Sequence, residues 1–115
     1  MSGGFTTPAY PSADLVAFAT ALFERAGLDP EEAGTVAEVL VEGDLLGHPT
    51  HGLALAAPYL ARSRTAAWPA RARPAVVSDH DGATCWDGRR LPGRWPVVEA
   101  IEQALATCRR TASPR

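Results

Sequence analysis

The stretch Gly27-Leu28-Asp29-Pro30-Glu31-Glu32 constrains the fold of this chain more than any other, because it ends one helix and begins another within a few residues. Upstream, Leu15, Val16, Phe18, Ala19, Leu22, Phe23 and Ala26 recur at the three- and four-residue spacing of a helical face; Ser12 stands at the N-cap and Gly27 closes the helix. Downstream, Asp29 and Glu32 have the capping-box spacing, and Pro30 occupies the first helical position. Glu31 and Glu32 complement the positive end of the helix dipole. The second helix is predicted to present Ala33, Val36, Ala37, Leu40 and Val41 inward, with Val39 adjoining, and to run to about Leu46 before Gly47 ends it. Two helices joined so tightly must lie antiparallel with their apolar faces together.

The rest of the chain adds smaller pieces. Thr50 can cap a third helix over residues 51–63 that packs through Leu53, Ala56, Ala57 and Leu60. Pro58 lies inside it, and an interior proline costs ~3 kcal/mol unless the helix bends or restarts, so a kink is predicted near residues 55–58. Residues 66–74, with Pro69 and Pro74, form a connector. Short apolar runs at 75–78 and 83–87 flank Asp79-His80-Asp81-Gly82 and predict a β-hairpin. After a loop at 88–94, Val97, Val98, Ile101, Leu105 and Cys108 trace a last helix. The expected fold is α+β and mainly α: an antiparallel helix pair, a kinked third helix, a small β-hairpin and a C-terminal helix. It divides into a flexible leader (1–11), a single domain (12–108) and a frayed tail (109–115).

Composition narrows the function classes. At 115 residues the chain holds one small core and no deep two-domain cleft. Residues 1–60 carry eight acids against Arg25, whereas residues 61–115 carry ten arginines against five acids; no lysine occurs. The arginines are scattered among Asp79, Asp81 and Asp87, which leaves no phosphate-tracking stripe and argues against nucleic acid. They suit a solvated surface or a seam against the acidic helices. Cys85 and Cys108 are too few for a disulfide framework and read as buried or incidental thiols of a reducing compartment. No secretory leader or membrane span is legible, so the expected location is cytoplasmic, with no membrane partner.

Chemistry concentrates in Asp44-Leu45-Leu46-Gly47-His48-Pro49-Thr50-His51-Gly52, where two imidazoles fall at a helix junction. Imidazole titrates nearest neutrality, so one held at a helix start can exchange a proton with a substrate oxygen, and His51 is the first catalytic candidate. A metal site from His48, His51 and Asp44 is disfavoured, since the spacing lacks the one-face geometry of a helical ligand pair and no Cys or His cluster completes the set. His80, in a polar turn, is expected to face solvent. Neither a glycine-rich nucleotide cradle nor a nucleophile elbow occurs.

The segment from Leu15 to Tyr59, and above all Asp44-x-x-Gly47-x-x-Thr50-His51-Gly52 with Tyr59 beyond it, resembles the N-terminal region of the malate/L-lactate dehydrogenase family that is unrelated to the Rossmann-fold enzymes. Trp86-Asp87-Gly88, Gly93 and the alanine-rich last helix continue the likeness to about residue 105. The resemblance implies NAD or NADP as cofactor, a small 2-hydroxy or 2-oxo acid as substrate, and a homo-oligomer, with dimer as the working expectation. His51 would exchange the proton on the substrate oxygen, with Thr50 and Tyr59 as substrate contacts. This chain departs from the pattern at Leu55, where the family has an arginine, and at Pro58, which lies one position later than the family's proline. The family also continues into a cofactor-holding part that nothing here matches. The expectation is therefore a truncated, substrate-side portion, inactive alone; the alternative is a non-catalytic helical interaction module.

Overall fold

The computed structural model describes residues 8–65, 72–80 and 82–112, and its architecture is α+β and mainly helical. Helix α1 spans Ser12–Arg25 and α2 spans Pro30–Leu45. At the start of α1 the Pro11 carbonyl accepts from the amides of Asp14 and Leu15 at 3.1 and 3.2 Å; Ser12 is the first helical residue and makes no side-chain cap. A Schellman motif ends α1, with the Leu28 amide donating to the Phe23 carbonyl at 3.1 Å and the Gly27 amide to that of Glu24 at 3.0 Å. The motif needs the left-handed φ of +103° at Gly27, which glycine adopts without a Cβ penalty. It also folds Leu28 back toward Phe23, and both are buried.

The next helix starts as its sequence dictates. An Asp29 carboxylate oxygen accepts from the Glu31 amide at 3.1 Å, and the Glu32 carboxylate accepts from the Asp29 backbone, closing a reciprocal capping box. Glu32 is buried in making it, and the loss of water pushes its carboxyl above the usual carboxylate range; the Asp29 amide offsets part of that rise. The helix pair closes on Ala19 and Phe23 of α1 and Ala33, Val36, Ala37 and Leu40 of α2. Phe23, Val36 and Leu40 are the largest fully buried side chains, each stabilising the fold by roughly 1.5–3 kcal/mol. Phe18, counted on the apolar face by its spacing, is instead 65% exposed.

The expected single helix over 51–63 is not formed. The chain makes two short 3-10 turns, Pro49–His51 and Leu53–Leu55, and then helix α3, Ala56–Thr65. Extended backbone at Gly52 (φ −96°, ψ −155°) separates the two turns, and an Asp44 carboxylate oxygen reaches across from α2 to accept the Leu53 amide at 2.8 Å. Thr50 lies inside the first turn and caps nothing. Pro58 stands third in α3, where its missing N–H has no intrahelical partner to lose, so the strain expected as a kink is avoided by restarting the helix. Leu53, Leu55, Ala56, Tyr59 and Leu60 pack on the core, whereas Ala57 is exposed.

Strands β1 (Ala75–His80) and β2 (Ala83–Asp87) form an antiparallel pair with Ala75 opposite Asp87 and His80 opposite Ala83. The first strand extends two residues past the expected run, and the register is irregular between Val76 and Ser78. Helix α4 spans Arg94–Thr111, so Arg109 and Arg110, expected to fray, are helical. The rest of the expected tail at 113–115, the leader at 1–7, most of the 66–74 connector and Asp81 of the hairpin turn lie outside the described residues. Only Trp95 of α4 is buried, joining Leu91 on the core; Val97, Ile101 and Leu105 are more than half exposed. Both cysteines are exposed rather than buried. A radius of gyration of 17.5 Å, against about 13 Å for a compact domain near this size, reflects a core gathered at the helix pair.

Candidate functional site

A second Schellman motif begins the site. Where α2 ends, the His48 amide donates to the Gly43 carbonyl at 2.9 Å and the Gly47 amide to that of Asp44 at 3.0 Å, with Gly47 at φ +77°. This reversal fixes the direction of His48, and the 3-10 bond from the His51 amide to the His48 carbonyl at 2.8 Å then sets His51 one turn further on. Gly43 lets the returning loop approach: a Cβ there would lie 2.6 Å from the His51 carbonyl oxygen. Gly52 does the same beside the Asp44 carboxylate, where a Cβ would collide with the side chain.

Val39 and Glu42 of α2, Leu46 just after it, His48 and His51 of the loop, and Arg94 of α4 line a concavity of about 370 Å³. His51 is exposed at its mouth. Its Nδ1 lies 3.0 Å from Thr50 Oγ1, so the hydroxyl can accept from Nδ1–H and leave Nε2 as the basic nitrogen, or donate in the other tautomer. The Arg94 guanidinium donates from Nη2 to the His51 carbonyl at 2.7 Å, which ties the first turn of α4 to the loop. Asp44 serves the loop as an acceptor for Leu53 and holds the backbone after His51.

The structure thus brings His51 and Thr50 together. It does not bring Tyr59 into the same concavity: Tyr59 packs on the core, its ring centroid 6.4 Å from that of Phe23 and tilted by 51°. Leu55 is likewise turned to the core. Arg94 and Glu42 carry no local signal in the sequence, because both reach the concavity only when α2 and α4 are placed side by side. Gly43 was more legible as a small residue one turn ahead of Gly47, although its role as a contact for His51 depends on the returning loop. The arginine-rich half does meet an acidic helix at one seam, where Arg73 pairs with Glu31 of α2 at 3.5 Å and with Glu99 of α4, its guanidinium carbon 5.2 Å over the Trp95 ring. The bond to Glu99 is the main reason the Arg73 guanidinium holds its proton more tightly than usual.

This donor set suits a small acid and does not suit a dinucleotide. A carbonyl or hydroxyl oxygen can meet an imidazole here and a carboxylate can meet a guanidinium, but a pyrophosphate would face the Glu42 carboxylate. Among the described residues no group of three or more His, Cys, Asp or Glu is arranged to hold a metal ion, and no helix is long and apolar enough to cross a membrane.

Comparison with known proteins gives the family and the fold. A family model for malate/L-lactate dehydrogenase matches residues 10–113. Among solved structures, a putative malate/lactate dehydrogenase from E. coli superposes with a TM-score of 0.82 at 23% identity, over 90% of this chain and 29% of that one. Malate dehydrogenase from Pyrococcus horikoshii OT3 gives 0.84 at 21% identity, over 90% and 30%, and a dehydrogenase from Sinorhizobium meliloti gives 0.79 at 27%, over 90% and 31%. The chain therefore spans about 30% of the length of these solved relatives. No curated protein sequence matches it significantly. With the family model covering nearly the whole sequence and the same fold recurring in three dehydrogenases, this chain belongs to the malate/L-lactate dehydrogenase family.

Proposed function

We propose that this chain supplies the substrate side of an NAD(P)-dependent oxidoreductase that interconverts a small 2-hydroxy acid and its 2-oxo acid. The observation that carries the reading is the placement of an exposed imidazole, His51, at the mouth of a concavity that also holds a guanidinium. His51 takes the proton from the substrate hydroxyl in the oxidative direction and returns it in the reductive one, as a general base and acid. Thr50 lies in hydrogen-bond reach of the imidazole at Nδ1, and its contact with substrate is part of the same proposal. Tyr59, fixed against Phe23, contributes to substrate contact only if the loop before α3 rearranges. The residues lining this concavity do not fit the cofactor, so its grip is assigned to residues outside it, and the chain by itself is expected not to turn over. A homo-oligomer in the cytoplasm belongs to the same reading.

A chimera tests it. Residues 10–113 are grafted in place of the matching segment of the Pyrococcus horikoshii enzyme, and oxidation of NADH or NADPH is followed with pyruvate, oxaloacetate and other 2-oxo acids. Turnover that falls roughly 10²-fold or more in His51→Gln supports the assignment, since general acid–base groups contribute on that scale. Undiminished turnover in the His51→Gln chimera overturns it. Cofactor oxidation by the chain alone, abolished in His51→Ala, would instead overturn the placement of the cofactor grip elsewhere.

A second reading, a non-catalytic helical interaction module, is favoured by the bare apolar residues Val97, Ile101 and Leu105 on α4. Concentration-dependent association without any binding of 2-oxo acids would support it.

A further inference from the structure

Position 55, in the second 3-10 turn, bears a leucine whose side chain packs on the hydrophobic core, so the segment just after His51 brings no cation to the concavity. The fold brings one from elsewhere. Arg94, the first residue of α4 and 43 positions after His51, donates to the His51 carbonyl at 2.7 Å and lines the same concavity. Among the described residues lining that concavity it is the one guanidinium, and His48 and His51 are its other nitrogen-bearing side chains. The hydrogen bond to the carbonyl uses a single N–H of the five that a guanidinium carries, which leaves donors for a bidentate carboxylate. Glu42 supplies the only carboxylate among the described residues lining the concavity, and it disfavours any ligand bearing a second negative charge there.

We infer that Arg94 is the residue that binds the carboxylate of a small monocarboxylic 2-oxo acid in the His51 concavity, in place of an arginine at position 55. This rests on the reading of the chain as the substrate side of a 2-hydroxy-acid oxidoreductase. Arg94 anchors the acid by its charge while the adjacent keto oxygen faces the His51 imidazole. The same side chain steadies the loop by its bond to the His51 carbonyl, so ligand and loop compete for nothing and are held by one group.

The test uses the full chain, with its histidine rings labelled for NMR, and two probes of nearly equal shape: pyruvate, which is anionic, and pyruvamide, which is not. Pyruvate is expected to shift the His51 ring signals saturably and pyruvamide to do so at least tenfold more weakly. In Arg94→Gln the pyruvate affinity is expected to fall roughly tenfold or more, because a charged hydrogen-bond pair is lost, and the preference for pyruvate over pyruvamide to disappear. Arg94→Lys, which keeps the charge and loses the fork, restores part of that preference and covers the case in which Arg94→Gln disturbs the loop. A purely structural role for Arg94 would lower both affinities together and leave their ratio intact, which would overturn the inference. Equal pyruvate binding by the parent and both variants would overturn it too, while leaving the oxidoreductase reading in place. Absence of any His51 response to pyruvate in the parent chain would sink both.

Discussion

Gly43 of α2 lies directly under His51: a methyl group in place of its hydrogen would stand 2.6 Å from the His51 carbonyl oxygen and 3.0 Å from the carbonyl carbon. The neighbour is backbone, which cannot swing aside. In Gly43→Ala the helix gains about 1 kcal/mol of intrinsic propensity, but overpacking against a fixed wall costs about 1–3 kcal/mol. The expected net result is a small loss of stability in urea unfolding together with changed His51 and Arg94 resonances. A variant more stable than the parent, with unchanged His51 signals, would contradict the close packing of helix and loop.

Asp44 holds the other side of that loop through the Leu53 amide at 2.8 Å. Asp44→Ala removes the acceptor at an exposed site, with an expected cost of about 1 kcal/mol, and Asp44→Asn recovers most of it because its amide oxygen still accepts. Hydrogen exchange at the Leu53 amide is the direct check; it should quicken in the alanine variant and stay near the parent rate in the asparagine variant.

Glu32 gives the fold a pH dependence of definite sign. Burial raises its carboxyl above the ordinary 4.5, so the folded state binds a proton more tightly than the unfolded one. Its contribution is therefore most favourable below the unfolded value and is lost as pH rises from there through the elevated folded value. Glutamine fills the same place in a capping box without ionising. Stability of Glu32→Gln, measured by urea unfolding between pH 4 and 7, should lack this decline and match or exceed the parent at neutral pH. A parent whose stability rises across the same interval at least as fast as the variant's would contradict this account.

Phe23 is wholly buried and is the shared wall between the helix pair and Tyr59. Phe23→Ala is expected to cost about 3–5 kcal/mol, a large share of the 5–15 kcal/mol available to a domain. Phe23→Leu keeps most of the volume and should cost markedly less, so thermal or urea midpoints ordered parent, leucine, alanine are the expected outcome.

On α4, Ile101 and Leu105 are 55% and 51% exposed on the same side as Val97. Replacing both with glutamate should leave the helix pair intact and remove any concentration-dependent association seen by sedimentation. Association that persists unchanged would place the contact surface elsewhere and weaken the interaction-module reading.

The sequence alone determined the parts governed by neighbours along the chain. The Gly27 and Gly47 stops, the Asp29–Glu32 capping box and the inward face of α2 depend on residues a few positions apart, so spacing reveals them. It also carried the motif around His51 and the pairing of the two strands. Tertiary structure decided the rest. Residues 51–63 read as one helix, but the Asp44 side chain captures Leu53 from another element and Gly52 turns extended, so the chain restarts at Ala56 instead of kinking at Pro58. Tyr59 packs against Phe23 on the core and does not line the concavity, and Val97, Ile101 and Leu105 stayed bare although their period is that of a buried face. Arg94 reached His51 across 43 residues. Local rules fix backbone direction over a turn or two, whereas which side chains share a concavity depends on how separate elements pack, and that is a sum over contacts between residues far apart in the chain.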